Sequence, residues 1–152
     1  MDGAADSGKN TPLKAANISN LNFMAKSGKT GLIYTVKKGL APESDVGVLS
    51  LLGYNPFNYY TGRGPLEMIG SGLNPINFLA LRANFATAIN KNVIDRRVGR
   101  TLTTKESITL ARSINKKVKL NTRFIFKSTV EHRAVLVFKS SLSDKVSNTD
   151  IS

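Results

Sequence analysis

"VKLNTRFIFKSTVEHRAVLVF", residues 118–138, holds two apolar segments of different periodicity around a charged turn. In residues 118–130, Leu120, Phe124, Phe126 and Val130 alternate with Lys119, Asn121, Arg123 and Lys127, Ile125 being the exception. Alternation at period two makes a strand with one apolar and one basic face. Glu131-His132-Arg133 reads as a short turn, which leaves His132 exposed and solvated. Residues 134–138, Ala-Val-Leu-Val-Phe, are apolar throughout, as in a central strand covered on both faces. Together the two segments predict an antiparallel hairpin at the end of the ordered chain.

Upstream of the hairpin, Thr103-Thr104-Lys105-Glu106 is a capping box, with the Thr103 hydroxyl accepting the Glu106 N–H and the Glu106 carboxylate reaching back. The helix it opens places Ile108, Ala111, Ile114 and Val118 on one side and Lys105, Arg112 and Lys116 on another. Residues 93–100, with Arg96, Arg97 and Arg100 around Gly99, read as a loop or a frayed turn. Asn74-Pro75 suits the start of a helix, and Phe78, Leu81, Phe85, Ala88 and Ile89 recur at three- and four-residue spacing. That spacing predicts a long helix over 74–90. Another helix, about ten residues long, is predicted from Pro42, with Val46, Leu49, Leu51 and Leu52 as its stripe and Gly53 as its stop. Between these helices, residues 53–65 read as a loop holding Tyr54, Phe57, Tyr59 and Tyr60.

Ser27-Gly28-Lys29-Thr30 resembles the end of a phosphate-binding loop. Such a loop needs a glycine five positions earlier and a helix opening after the lysine. Phe23 occupies the first position, and Gly31-Leu32-Ile33-Tyr34-Thr35-Val36 reads as a strand over 32–36. The motif is therefore a basic turn leading into a strand. The fold these segments predict is α+β: three helices packed on a small antiparallel sheet ending in a C-terminal β-hairpin. The expected organisation is a flexible polar arm at 1–21, one domain at 22–139 and a flexible tail at 140–152.

The 152 residues suit a single core, and 41% apolar content is enough to build it. Without cysteine there is no disulfide framework, thiolate nucleophile or cysteine-based metal site. The first twenty residues lack the apolar core of a signal peptide, and no clean apolar run long enough for a transmembrane helix occurs. An intracellular protein, cytoplasmic or virion-associated, is expected.

The net charge of +12 is concentrated. Residues 82–139 carry fourteen basic and three acidic side chains, a net of +11, while residues 1–81 carry +2 and residues 140–152 carry −1. Concentrated charge costs self-repulsion and attracts polyanions. Acids are scattered and His132 is the lone histidine, so no paired general acid and base, no metal-ligand spacing and no cofactor motif stand out. The expectation is a non-enzymatic nucleic-acid-binding protein, RNA ahead of DNA, within a larger ribonucleoprotein assembly or homo-oligomer. Arg96, Arg97, Arg100, Lys105, Arg112, Lys116, Lys117, Lys119, Arg123 and Lys127 would meet the phosphates, with Tyr54, Phe57, Tyr59 and Tyr60 stacking on bases. The alternative is a small viral matrix-like structural protein that binds an anionic membrane surface and a nucleocapsid.

Overall fold

The computed structural model describes residues 7–74, 76–139, 142–147 and 149. The chain is mixed α and β, with several helices and a small antiparallel sheet, and its contacts separate two compact units, Met1–Tyr60 and Thr61–Ser152. Pro75 and, of the segment read as a C-terminal tail, residues 140, 141, 148 and 150–152 lie outside the described residues.

The first unit contains α1 (Pro12–Ala15), α2 (Ser19–Ser27), α3 (Ser44–Leu51) and α4 (Pro56–Tyr59). Thr11 opens α1: its hydroxyl accepts the Lys14 N–H at 3.2 Å, and Pro12 takes the first helical position, where its missing N–H costs nothing. The segment read as an arm thus carries α1 and the start of α2. At the end of α3 the Tyr54 N–H reaches the Leu49 carbonyl and the Gly53 N–H the Ser50 carbonyl, both at 3.0 Å. Gly53 has φ +88, so the expected glycine stop is a Schellman cap that only a residue tolerant of the left-handed region closes easily. Asn55-Pro56, read as part of a loop, opens the single turn of α4, with the Asn55 side chain accepting the Phe57 N–H at 3.0 Å.

No strand forms at 32–36. Among the described residues of this unit there is no other strand to pair with it, and Leu32, Ile33 and Tyr34 stay exposed. β-propensity supplies no ladder by itself, so the local pattern fails for want of a partner.

The second unit runs α5 (Arg63–Gly70), β1 (Leu79–Asn84), β2 (Thr87–Ile89), β3 (Asn92–Asp95), a 3-10 turn (Val98–Arg100), α6 (Thr104–Lys117), β4 (Phe124–Ser128) and β5 (Arg133–Phe138). Its main sheet has the order β1-β5-β4, all antiparallel. β5 is central as its unbroken apolar run predicts, and it pairs with β4 from Phe124↔Phe138 to Ser128↔Ala134. The hairpin is shorter than expected, since residues 118–123 precede β4 without joining the ladder.

The helix expected over 74–90 is replaced by β1, β2 and the intervening turn. β1 pairs with β5 from Leu79↔Phe138 to Asn84↔Arg133, and this ladder outweighs the local three- and four-residue spacing. Asn90 and Lys91 both have positive φ (48° and 69°), the geometry of a two-residue hairpin turn between β2 and β3.

The core gathers Met68 of α5, Ala80 of β1 and Val135 and Val137 of β5, with Leu73 and Phe78 packed against them. Gly64 lets α5 lie against β1: a Cβ there would fall 1.9 Å from the Ala80 carbonyl oxygen. On the other edge, the Asn115 amide of α6 donates to the Phe126 carbonyl at 2.7 Å and accepts its N–H at 2.9 Å. That side chain satisfies an edge-strand residue as a neighbouring strand would. The Ser107 and Ser128 hydroxyls, 2.5 Å apart, fasten α6 to β4 a little further along.

Candidate anion-binding turn

The capping box of α6 forms as expected: Thr103 Oγ1 accepts the Glu106 N–H at 3.3 Å, and Glu106 Oε2 accepts the Thr103 N–H at 2.9 Å. Immediately before it, the chain leaves β3 at Asp95 and turns back on itself. Asp95 Oδ1 accepts the Arg97 N–H at 2.7 Å and Oδ2 accepts the Gly99 N–H at 2.5 Å. Val98, Gly99 and Arg100 all have positive φ (52°, 59° and 58°). Two residues with side chains in the left-handed region carry a steric cost, which the Asp95 bonds help offset. These N–H bonds, Arg97 first and then Gly99, also hold the Asp95 carboxyl below its ordinary range. The charged carboxylate is thereby committed to the turn, and Arg96, Arg97 and Arg100 stand on the exposed surface around it.

Behind the turn lies His132. It is buried, with 5% of its surface exposed, which corrects the expectation of a solvated turn residue. The turn is not isolated: the chain just past β1 pairs with it, the Phe85 N–H donating to the His132 carbonyl at 2.7 Å. The imidazole Nδ1 is buried and has no hydrogen-bond partner among the described residues. Burial holds the imidazole below its ordinary pKa; Arg133, Arg100 and Arg97 add to that, and Glu131 opposes it. Asp95 and His132 also act on one another electrostatically, so the turn and the histidine share one local field.

The remaining expected phosphate contacts do not join this cluster by any bond. Lys105, Arg112, Lys116 and Lys117 are exposed along α6, and Lys119 and Arg123 are exposed on the segment leading to β4. Lys127 is partly buried and its ammonium donates to the Ser71 carbonyl at 2.5 Å, tying β4 to the end of α5. The buried line of α6 is shifted from the expected stripe: Ser107 is buried beside Ala111, whereas Ile108 and Val118 keep 38% and 41% of their surface exposed.

In the first unit, Tyr54, Phe57 and Tyr59 are exposed. Tyr54 and Tyr59 meet edge to face at 5.9 Å, Lys37 sits 5.4 Å from the centre of the Phe57 ring, and the Tyr60 hydroxyl donates to Asp45 at 2.5 Å. Ser27–Thr30 forms the end of α2 and the residues after it, and no helix opens behind Lys29. Among the described residues no three His, Cys, Asp or Glu side chains gather at metal-binding distances, and no helix is long and apolar enough to cross a membrane.

Two features escape sequence reading. One is the role of Asp95, whose signal is an Asp followed by Gly four residues later, a pattern suited to a side-chain-closed turn. The other is the burial of His132, which arises from tertiary packing and has no local signal.

Comparison with known proteins overturns the expected function. The profile of the 2,3-bisphosphoglycerate-independent phosphoglycerate mutases matches residues 25–152. A protein of Aeropyrum pernix with that name is 45% identical over 161 aligned positions, covering 99% of this chain and 38% of the relative. Its counterpart in Methanopyrus kandleri is 44% identical over 146 positions, covering 92% of this chain and 35% of the relative. Among solved structures, the cofactor-independent phosphoglycerate mutase of Thermoplasma acidophilum is 45% identical with a TM-score of 0.50, over 69% of this chain and 28% of that one. The PH0037 protein of Pyrococcus horikoshii is 30% identical with a TM-score of 0.56, over 68% of this chain and 25% of that one. This chain therefore spans well under half the length of the relatives it matches.

These matches are to a family named for an enzyme acting on a small molecule. The expectations of a non-enzymatic protein, of RNA or DNA as partner, of a ribonucleoprotein, and of a viral matrix-like protein on an anionic membrane are corrected accordingly. The basic excess misled because net charge carries no information on what kind of molecule, if any, meets it.

Proposed function

Since this chain belongs to the 2,3-bisphosphoglycerate-independent phosphoglycerate mutase family, we propose that it forms part of an enzyme that moves a phosphoryl group between the hydroxyls of phosphoglycerate, and that the Asp95–Arg100 turn holds that substrate. Phosphoglycerate pairs a carboxylate with a phosphate monoester, and the latter alone carries about −1.5 to −2 charges at pH 7. A small, multiply charged oxyanion is best gripped by guanidinium forks, which bond carboxylate and phosphate oxygens in pairs.

The observation that carries this reading is the way Asp95 closes the turn. By accepting the Arg97 and Gly99 N–H groups it fixes the backbone that bears Arg96, Arg97 and Arg100. Fixing the backbone beforehand lowers the ordering cost of binding. A mutase also holds the phosphoryl group and the glycerate skeleton in register while one hydroxyl replaces another, which positioning of this kind serves.

Titration calorimetry with phosphoglycerate and with glycerate tests the reading. Phosphoglycerate is expected to bind the chain and glycerate to bind at least about tenfold more weakly, the difference of one charge-assisted contact. Equal heats and affinities for the two would overturn the proposal, because the phosphate would then contribute nothing.

A further inference from the structure

The buried Nδ1 of His132 has no hydrogen-bond partner among the described residues. The neighbouring Glu131 N–H donates to Thr104 Oγ1 at 3.1 Å, which brings this hairpin against the start of α6, four residues after Arg100 of the arginine turn. A buried polar atom without a partner carries a desolvation penalty and calls for an explanation. The charged groups around it are Asp95, Arg97 and Arg100 on the turn, and Glu131 and Arg133 on its own hairpin. Arg97, Arg100 and Arg133 oppose an imidazolium there, while Glu131 and Asp95 favour one. Burial first, and then these cations, balance the free site toward neutral imidazole, and two of the cations belong to the proposed anion grip.

We infer that His132 is a proton-coupled partner of the arginine turn: an oxyanion held by Arg97 and Arg100 is taken up together with a proton from solvent on the His132 imidazole. The inference rests on the reading of the turn as the substrate's anion site. Its physics is linkage between two sites. An anion between the guanidinium groups offsets the field that opposes the imidazolium, so the proton is held more tightly when the anion is present. By reciprocity the anion is held more tightly when the proton is present. His132 acts here through the field at the turn, as a positioning residue that adjusts how strongly an anion is held.

The lone histidine makes the test direct, because its imidazole resonances in a nitrogen-labelled sample need no assignment. The chain is titrated with acid, free and then saturated with sulfate. Sulfate is the probe because it keeps its charge across the range, whereas a phosphate monoester itself titrates near pH ~6. The same spectra follow the Arg97, Gly99 and Arg100 amides, which report whether sulfate occupies the turn. The expected result is that these amides shift with sulfate and that the His132 midpoint rises by about 0.5–1 unit, roughly three- to tenfold in proton affinity. His132→Gln is expected to keep the amide shifts while sulfate affinity loses the part of its pH dependence centred on the histidine. Amides that shift while the midpoint stays fixed would overturn the inference and leave the turn as an anion site. Amides that do not respond to sulfate would overturn the turn and the inference together. The wild-type titration decides the matter even if the glutamine variant fails to fold.

Discussion

Asp95 and Gly99 meet through a 2.5 Å hydrogen bond, from the glycine N–H to the carboxylate, that closes the turn between β3 and α6. Four residues of chain are folded back by this contact and the parallel one to the Arg97 N–H at 2.7 Å. The bonds are strongest while Asp95 is ionised, since a protonated carboxyl is a weaker acceptor. Because the folded carboxyl titrates below its ordinary value, its contribution is complete above the unfolded pKa of ~3.9 and disappears as pH falls through the lower folded value. The Arg97 and Gly99 amide shifts are expected to titrate together with one midpoint below pH ~3.9, and the two amides titrating with different midpoints would show that one carboxylate does not hold both.

Gly64 separates the backbone of α5 from that of β1. Gly64→Ala puts a methyl 1.9 Å from the Ala80 carbonyl oxygen, so the helix must move off the sheet. The expected loss is about 1–3 kcal/mol or more, read from the denaturant midpoint. Gly70→Ala, at the other end of the same helix, meets nothing within 4 Å and is expected to be neutral or stabilising. Equal midpoints for the two variants would mean that α5 does not lie against β1 as closely as described.

Thr103 and Glu106 bond reciprocally at the start of α6. Thr103→Ala is expected to cost about 1 kcal/mol of stability, the usual value of an N-cap hydroxyl. It also removes the hydroxyl that most strongly holds the Glu106 carboxyl below its ordinary value, with the Thr103 N–H next in effect. Carboxyl titration by NMR is therefore expected to show the Glu106 midpoint moving up in the variant. A midpoint unchanged by the substitution would show that the hydroxyl is not the partner.

Asn115 completes the edge of the sheet at Phe126. Asn115→Leu removes both amide bonds, and the Phe126 N–H is expected to exchange with solvent about five- to tenfold faster, in line with about 1 kcal/mol for an exposed hydrogen-bonding side chain. Exchange at the wild-type rate would place the protection of β4 elsewhere.

The parts of this fold that were legible in the sequence are those written locally. Thr103 and Glu106 lie three residues apart, Gly53 ends the apolar stripe of α3, and the run at 134–138 declares a central strand. Where two elements must meet, local pattern misleads. Phe78, Leu81, Phe85, Ala88 and Ile89 fit a helix by spacing alone, yet β5 recruits residues 79–84 as its second neighbour, and Asn90-Lys91 turns the chain into a small hairpin. The candidate site was legible as charge, in Arg96, Arg97 and Arg100, because arginine clusters show in any reading. Its organisation was not, because Asp95 acts through geometry and the burial of His132 comes from tertiary packing. Charge also named the wrong class of partner, since it records the sign of a ligand and nothing of its size.

Whether the turn, rather than the rest of the basic surface, grips phosphoglycerate is decided by two charge-matched double variants. Arg97→Ala with Arg100→Ala removes two cations from the turn; Arg112→Ala with Lys116→Ala removes two from the exposed face of α6. Phosphoglycerate affinity is measured for both by calorimetry at one salt concentration. The turn variant is expected to lose about a hundredfold, two charge-assisted contacts' worth, and the helix variant no more than about twofold. Equal losses in the two would mean that the ligand responds only to net charge, and the assignment of the turn would be contradicted.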